Sequence, residues 1–189
     1  RCWDQVVAHL PADWTVFAVD MRGHGRSANQ GPFTWQRFGD DLLQVCAQLK
    51  LVDAIAVGHS MGGHGALTIR LKQPTVYASI SAFSPICNPT NSDWGRKQLS
   101  AYLGADESLW AKHDASLLMR DVGFDGPVLI DTGTADQFGD LLKTEALASA
   151  IAERRQEATL RMQKGYDHSY FFVSSFIEEH LSFHAQHLF

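Results

Sequence analysis

Cysteine is scarce: Cys2, Cys46 and Cys87 are the only three in 189 residues. They are odd in number, far apart and without C-x-x-C spacing, which argues against a disulfide framework or a zinc site and for buried or inert thiols. Long apolar runs are also missing. None approaches the ~18–20 residues of a membrane span, and the first residues lack the basic-then-apolar pattern of a signal peptide. A soluble, cytoplasmic protein without membrane contact is the expectation. Nor is charge of one sign abundant: a net charge of −5 with no basic cluster able to track phosphates makes nucleic acid a poor partner. What is present is a chain 45% apolar, long enough to fill one core, so a single domain over 1–189 is expected.

Apolar, β-rich runs at Thr15 to Val19, Ala54 to Val57, Val76 to Ser81, Val128 to Asp131 and Ala158 to Met162 alternate with longer helical patterns. That alternation predicts an α/β fold, a mostly parallel sheet with helices on both faces. Helices are predicted near Cys2 to Leu10, Phe33 to Leu49, Gly63 to Lys72, Asp140 to Arg154 and Tyr170 to His187, with shorter turns between Trp94 and Met119. Residues 84–125 hold most of the Pro, Asn, Asp and Gly punctuation and no convincing strand. They read as an excursion over the carboxyl ends of the strands, where a substrate pocket would be roofed.

Gly58-His59-Ser60-Met61-Gly62 follows the run Ala54 to Val57 and opens a helical pattern, which is the strand, turn and helix context of a G-x-S-x-G nucleophile elbow. Two further pieces follow in the order Ser, acid, His: Asp136 after the run Val128 to Asp131, and His168 in Gly165-Tyr166-Asp167-His168-Ser169. His168 is the candidate base for the Ser60 hydroxyl, and Asp136 would hold its tautomer and stabilise the imidazolium. The backbone N–H of Met61, at a helix N-terminus, is the candidate oxyanion donor. This chemistry requires no metal and no organic cofactor.

Other residues compete for these roles. Asp131 is a rival acid, but it ends a strand and could instead cap a turn. Asp167 neighbours His168 in sequence and is better suited to securing the loop. His59 is expected to pack or hydrogen-bond beneath the elbow, and Arg22 and His24 to stabilise a tight loop. His180, His184 and His187 have a spacing that could hold zinc, yet no carboxylate or Cys completes a site, so a solvated helix face is expected. Trp94, Phe138 and Met61 are candidates for lining an apolar acyl pocket, with core packing as the competing use.

From Gly58 to Phe189 the segments GHSMGGHGAL, SAFSPICNP, SAYLGADESLW, LIDTGTADQF and GYDHSYFFVSSFIEEHL resemble the S-formylglutathione hydrolase, or esterase D, family of the α/β-hydrolase superfamily. The segment RCWDQVVAHLPADWTVFAVDMRGHGRS instead resembles the esterase, epoxide-hydrolase and haloperoxidase branch. The two resemblances meet at the elbow that both branches share, so the chain reads as a chimera. The resemblance implies an α/β-hydrolase fold, a catalytic set of Ser60, Asp136 and His168, and an esterase or thioesterase acting on small acyl groups. It also implies an N-terminally shortened form without the third strand and its oxyanion loop. Thr15 to Val19 would then either face a gap or move into the empty position, and loss of one oxyanion donor costs about a hundred- to a thousandfold in rate. At Ser92-Asp93, relatives tend to have Pro.

Two rival readings stand beside the esterase. One is a non-catalytic hydrolase-fold module that pairs an exposed sheet edge as a homo-oligomer. The other is a cofactor-free haloperoxidase-like perhydrolase with the same triad. An epoxide hydrolase or dehalogenase would need Asp at the elbow, where this chain has Ser60.

Overall fold

A computed structural model describes residues 7, 8, 10, 12–20, 22, 23, 25–31, 35–51, 54–73, 75–123 and 125–188. Strands β1 (Ala54–His59), β2 (Tyr77–Phe83), β3 (Val128–Gly133) and β4 (Ala158–Gln163) form one sheet in the order β1-β2-β3-β4. All three neighbouring pairs are parallel. The α-helices are α1 (Trp35–Leu49), α2 (Met61–Lys72), α3 (Asp93–Leu103), α4 (Ala115–Asp121), α5 (Gly139–Leu142), α6 (Thr144–Arg154) and α7 (Tyr170–Ala185).

Alternation along the two inner strands sorts the layers. Ile80, Ala82, Val128 and Ile130 pack with Leu67 and Leu71 of α2, Leu118 and Met119 of α4, and Leu147 and Ala150 of α6. Phe83, whose side chain falls on the opposite face, packs with Phe172, Val173, Ile177 and Leu181 of α7. The α7 face is unusually polar. His184 bridges two buried hydroxyls, with Nδ1 2.7 Å from Ser79 Oγ and Nε2 2.8 Å from Ser81 Oγ. One turn earlier His180 stacks on Phe83 and places Nε2 3.2 Å from Asp131 Oδ2. The Arg161 guanidinium donates to both Asp131 oxygens at 2.6 Å and also pairs with Glu179.

Three expectations need correction. Thr15 to Val19 forms no strand: residues 14–20 lack regular structure, and Val16, Phe17 and Val19 are each more than 40% exposed. A β pattern becomes a strand only where a neighbouring edge accepts its ladder and a face covers its side chains. The helix expected over Asp140 to Arg154 is two, because the Leu142 carbonyl accepts from Cys87 N at 2.7 Å and Lys143 turns left-handed at φ 55°. His180 and His184 lie on the buried side of α7, not on a solvated face. Residues 84–125 hold short helices and, among the described residues, no strand. Buried Asp114 caps α4 through Ser116 N and Leu117 N, and its other oxygen receives Asn88, Thr90 N and the Thr90 hydroxyl. Ser92 caps α3 by accepting from Gly95 N at 3.1 Å. Most of the helix predicted over Cys2 to Leu10, together with His24, falls outside the described residues.

Candidate active site

The tight turn between β1 and α2 presents Ser60 with φ 55° and ψ −117°, a backbone region that ordinary residues avoid and that functional turns hold by surrounding structure. Ser60 N donates to Phe83 O at 2.9 Å, and its carbonyl accepts from His64 N at 3.0 Å, so both sides of the turn are tied down. Of the two elbow glycines, Gly58 is the one the turn demands: a Cβ there would lie 2.2 Å from the Gly62 carbonyl oxygen, whereas one at Gly62 meets nothing within 4 Å among the described residues. Met61 is the first residue of α2, where N–H groups have no intrahelical acceptor.

The acid and the base arrive from loops after β3 and β4. Thr134 N donates to Gln163 O at 2.9 Å and Ala135 N to Tyr166 O at 2.9 Å. Gly165 N donates to Thr134 Oγ1 at 2.9 Å, and His168 N to Gln137 Oε1 at 3.3 Å. The approach is so close that a Cβ on Gly133 would sit 2.1 Å from Tyr166 O. The stitched loops place His168 Nδ1 2.7 Å from Asp136 Oδ2, with the carboxylate side chain fully buried and the imidazole 10% exposed. Asp136 has two further donors: Ser84 Oγ reaches the same Oδ2 at 2.7 Å, and Phe138 N reaches Oδ1 at 2.9 Å.

Asp131 is not part of this cluster. Burial opposes its charge, but donors from His180 and Arg161 outweigh that effect and hold the carboxyl below its ordinary range. Asp167 secures the loop by accepting from Ser169 N at 3.1 Å. Arg22 grips Asp41 of α1 through two hydrogen bonds, a structural use. Phe138 meets the His168 ring edge-on at 5.1 Å, and Trp94 stacks on Phe138 at 6.3 Å, so the two candidate substrate contacts form one aromatic row beside the base. Met61 also lines a narrow apolar crevice with Ile86, Pro89 and Leu99. Ser84 and Gln137 escaped the sequence reading; the only hint of Ser84 was its place directly after the β2 run.

Residues 29–183 match the Esterase family. The chain belongs to that family. An S-formylglutathione hydrolase of Paracoccus denitrificans (strain Pd 1222) is 63% identical over 131 residues, which cover 69% of this esterase-family chain and 47% of the relative. The chain thus spans about half the length of that curated relative. The structure of an S-formylglutathione hydrolase from Agrobacterium tumefaciens superposes with a TM-score of 0.75 at 37% identity, over 86% of this chain and 62% of the other. A bromoperoxidase from Bacillus anthracis superposes at 0.71 with 18% identity, over 98% of this chain and 87% of its own. At that identity the likeness speaks for the fold alone, which is the α/β-hydrolase fold. No described helix is long and apolar enough to cross a membrane.

Proposed function

We propose that this esterase-family chain hydrolyses small acyl esters or thioesters through an acyl-enzyme on Ser60. The observation that carries the reading is the 2.7 Å contact between His168 Nδ1 and Asp136 Oδ2, together with a serine held in the elbow conformation at the end of β1. Asp136 accepts a hydrogen bond from Nδ1–H and so holds the tautomer in which Nε2 of His168 is free to act as base. The Ser60 hydroxyl proton passes to Nε2 as Oγ bonds to the acyl carbon, and the Met61 N–H receives the oxyanion. Collapse breaks the bond to the alkoxide or thiolate, which takes the proton from Nε2. Water then repeats the sequence against the acyl-enzyme, returning the carboxylic acid and free Ser60.

Trp94 and Phe138 would bound the acyl or leaving group. S-formylglutathione is the specific thioester suggested by the names of the Paracoccus and Agrobacterium relatives. A cytoplasmic location suits the free thiols of Cys46 and Cys87.

The test is hydrolysis of p-nitrophenyl acetate, p-nitrophenyl octanoate and S-formylglutathione by the native chain and Ser60→Ala, with folding checked by circular dichroism. Loss of activity in the variant supports the serine hydrolase, and preference for acetate over octanoate supports the small-acyl reading. Equal rates from two folded proteins would overturn both.

A further inference from the structure

His59, the last residue of β1, has no part in the reaction above, yet its ring centroid lies 4.6 Å from that of His168 at a tilt of 38°. Tyr170, at the head of α7, meets it edge-on at 5.3 Å. Its Nε2 is sealed from solvent without a hydrogen-bond partner among the described residues. Leaving a buried ring nitrogen unpaired is unfavourable, so the fold tolerates a penalty to keep this ring where it is.

We propose that His59 is a positioning residue whose ring forms the wall confining the His168 imidazole to the arc between the Ser60 hydroxyl and the leaving group. The inference rests on the hydrolase reading. A single hydrogen bond from Nδ1 to Asp136 anchors one edge of the His168 ring but leaves it free to rotate about that contact. A flat neighbour removes the freedom: the His59 ring packs against the imidazole, centroids 4.6 Å apart and planes 38° apart.

The wall must not compete for the proton released by Ser60, and the arrangement ensures this. The groups that face His59 are His168 from the β4–α7 loop, Asp136 from the β3–α5 loop and Tyr170 from α7. Two imidazoles this close disfavour double protonation, and the carboxylate is bonded to His168. Burial, then the charge of His168, lowers the pKa of His59 to about 4, so its ring is neutral at neutral pH.

The test compares His59→Ala, His59→Asn and His59→Phe for p-nitrophenyl acetate hydrolysis and for the rate of Ser60 labelling by a fluorophosphonate. Removing the ring in the Ala and Asn variants should lower kcat by about tenfold to a hundredfold, with KM within about twofold and labelling slowed in parallel. His59→Phe restores a flat wall and should stay within about threefold of native. The proposal is overturned if Phe is as impaired as Asn, which would make the role polar, or if every variant that folds keeps native kcat. If His59→Ala does not fold, the Asn and Phe pair decides. A native chain that neither turns over nor labels sinks the hydrolase reading itself; native activity lost in Ser60→Ala but unaffected by ring removal sinks only this inference.

Discussion

Ser84 and His168 donate to the same oxygen of Asp136, each at 2.7 Å. Ser84 comes from the end of β2 and holds a left-handed φ of 40°, so its hydroxyl approaches from a strand that contributes neither base nor nucleophile. With Phe138 N on the other oxygen, the carboxylate plane is fixed before the imidazole binds. Ser84→Ala should lower kcat on the order of tenfold and leave KM unchanged, since a hydrogen bond to a charged group is worth roughly 1.5–3 kcal/mol and only part is felt at His168. Asp136→Asn should cost more, on the order of 10⁴, by favouring the wrong tautomer. Steady-state kinetics on p-nitrophenyl acetate separates the two.

Gly133 is where the acid and base loops touch. A methyl group there would collide with the Tyr166 carbonyl, a backbone atom that cannot swing aside. Gly133→Ala should shift the urea midpoint downwards by the equivalent of about 1–3 kcal/mol and abolish measurable turnover, because separating the loops pulls His168 from Asp136. Gly62→Ala, which meets nothing at its Cβ among the described residues, should be far milder in stability.

Acid should destabilise the fold through its buried histidines. Burial first, and then the neighbouring His180 and His187, lower the pKa of His184 from 6.5 to about 3. Above pH 6.5 the folded and unfolded chains are both neutral at this site and its contribution is fully present. Between about 6.5 and 3 the unfolded chain binds a proton that the folded chain refuses, so stability falls as pH falls, by up to about 1.4 kcal/mol per pH unit for each such group. The urea midpoint should decline from pH 6.5 to pH 4.5, and less steeply in His184→Gln.

Phe138 is 39% exposed and joins Trp94 to His168, which suits a ring that meets substrate. Phe138→Ala should raise KM for p-nitrophenyl acetate by about three- to tenfold, the range expected for loss of an apolar contact. A fall in kcat with constant KM would assign the ring to holding His168 instead.

The elbow was legible because its signal is local: a run of small and apolar residues, a glycine the turn demands, and a helix follow within a few positions. The same holds for Asp136 and His168, each just after a strand. Ser84 and Gln137 were not, since their partners come from loops brought together only in the folded chain. His180 and His184 show the limit of helical spacing, which says that two residues share a face but not which way that face points. Thr15 to Val19 shows the same limit for β patterns, where no neighbouring strand among the described residues accepts the ladder.

The bridge from His184 to Ser79 and Ser81 has a mechanical meaning for the catalytic loop. Grease lets a helix slide or roll to a nearly equivalent fit, but an imidazole keyed between two hydroxyls does not. Shifting α7 by one residue would strand three polar groups inside the protein at roughly 1–3 kcal/mol each, comparable with a sizeable part of a domain's total stability. The helix is therefore indexed to the sheet like a gear tooth, and His168, two residues before its first turn, inherits that phase from a contact at the helix's far end.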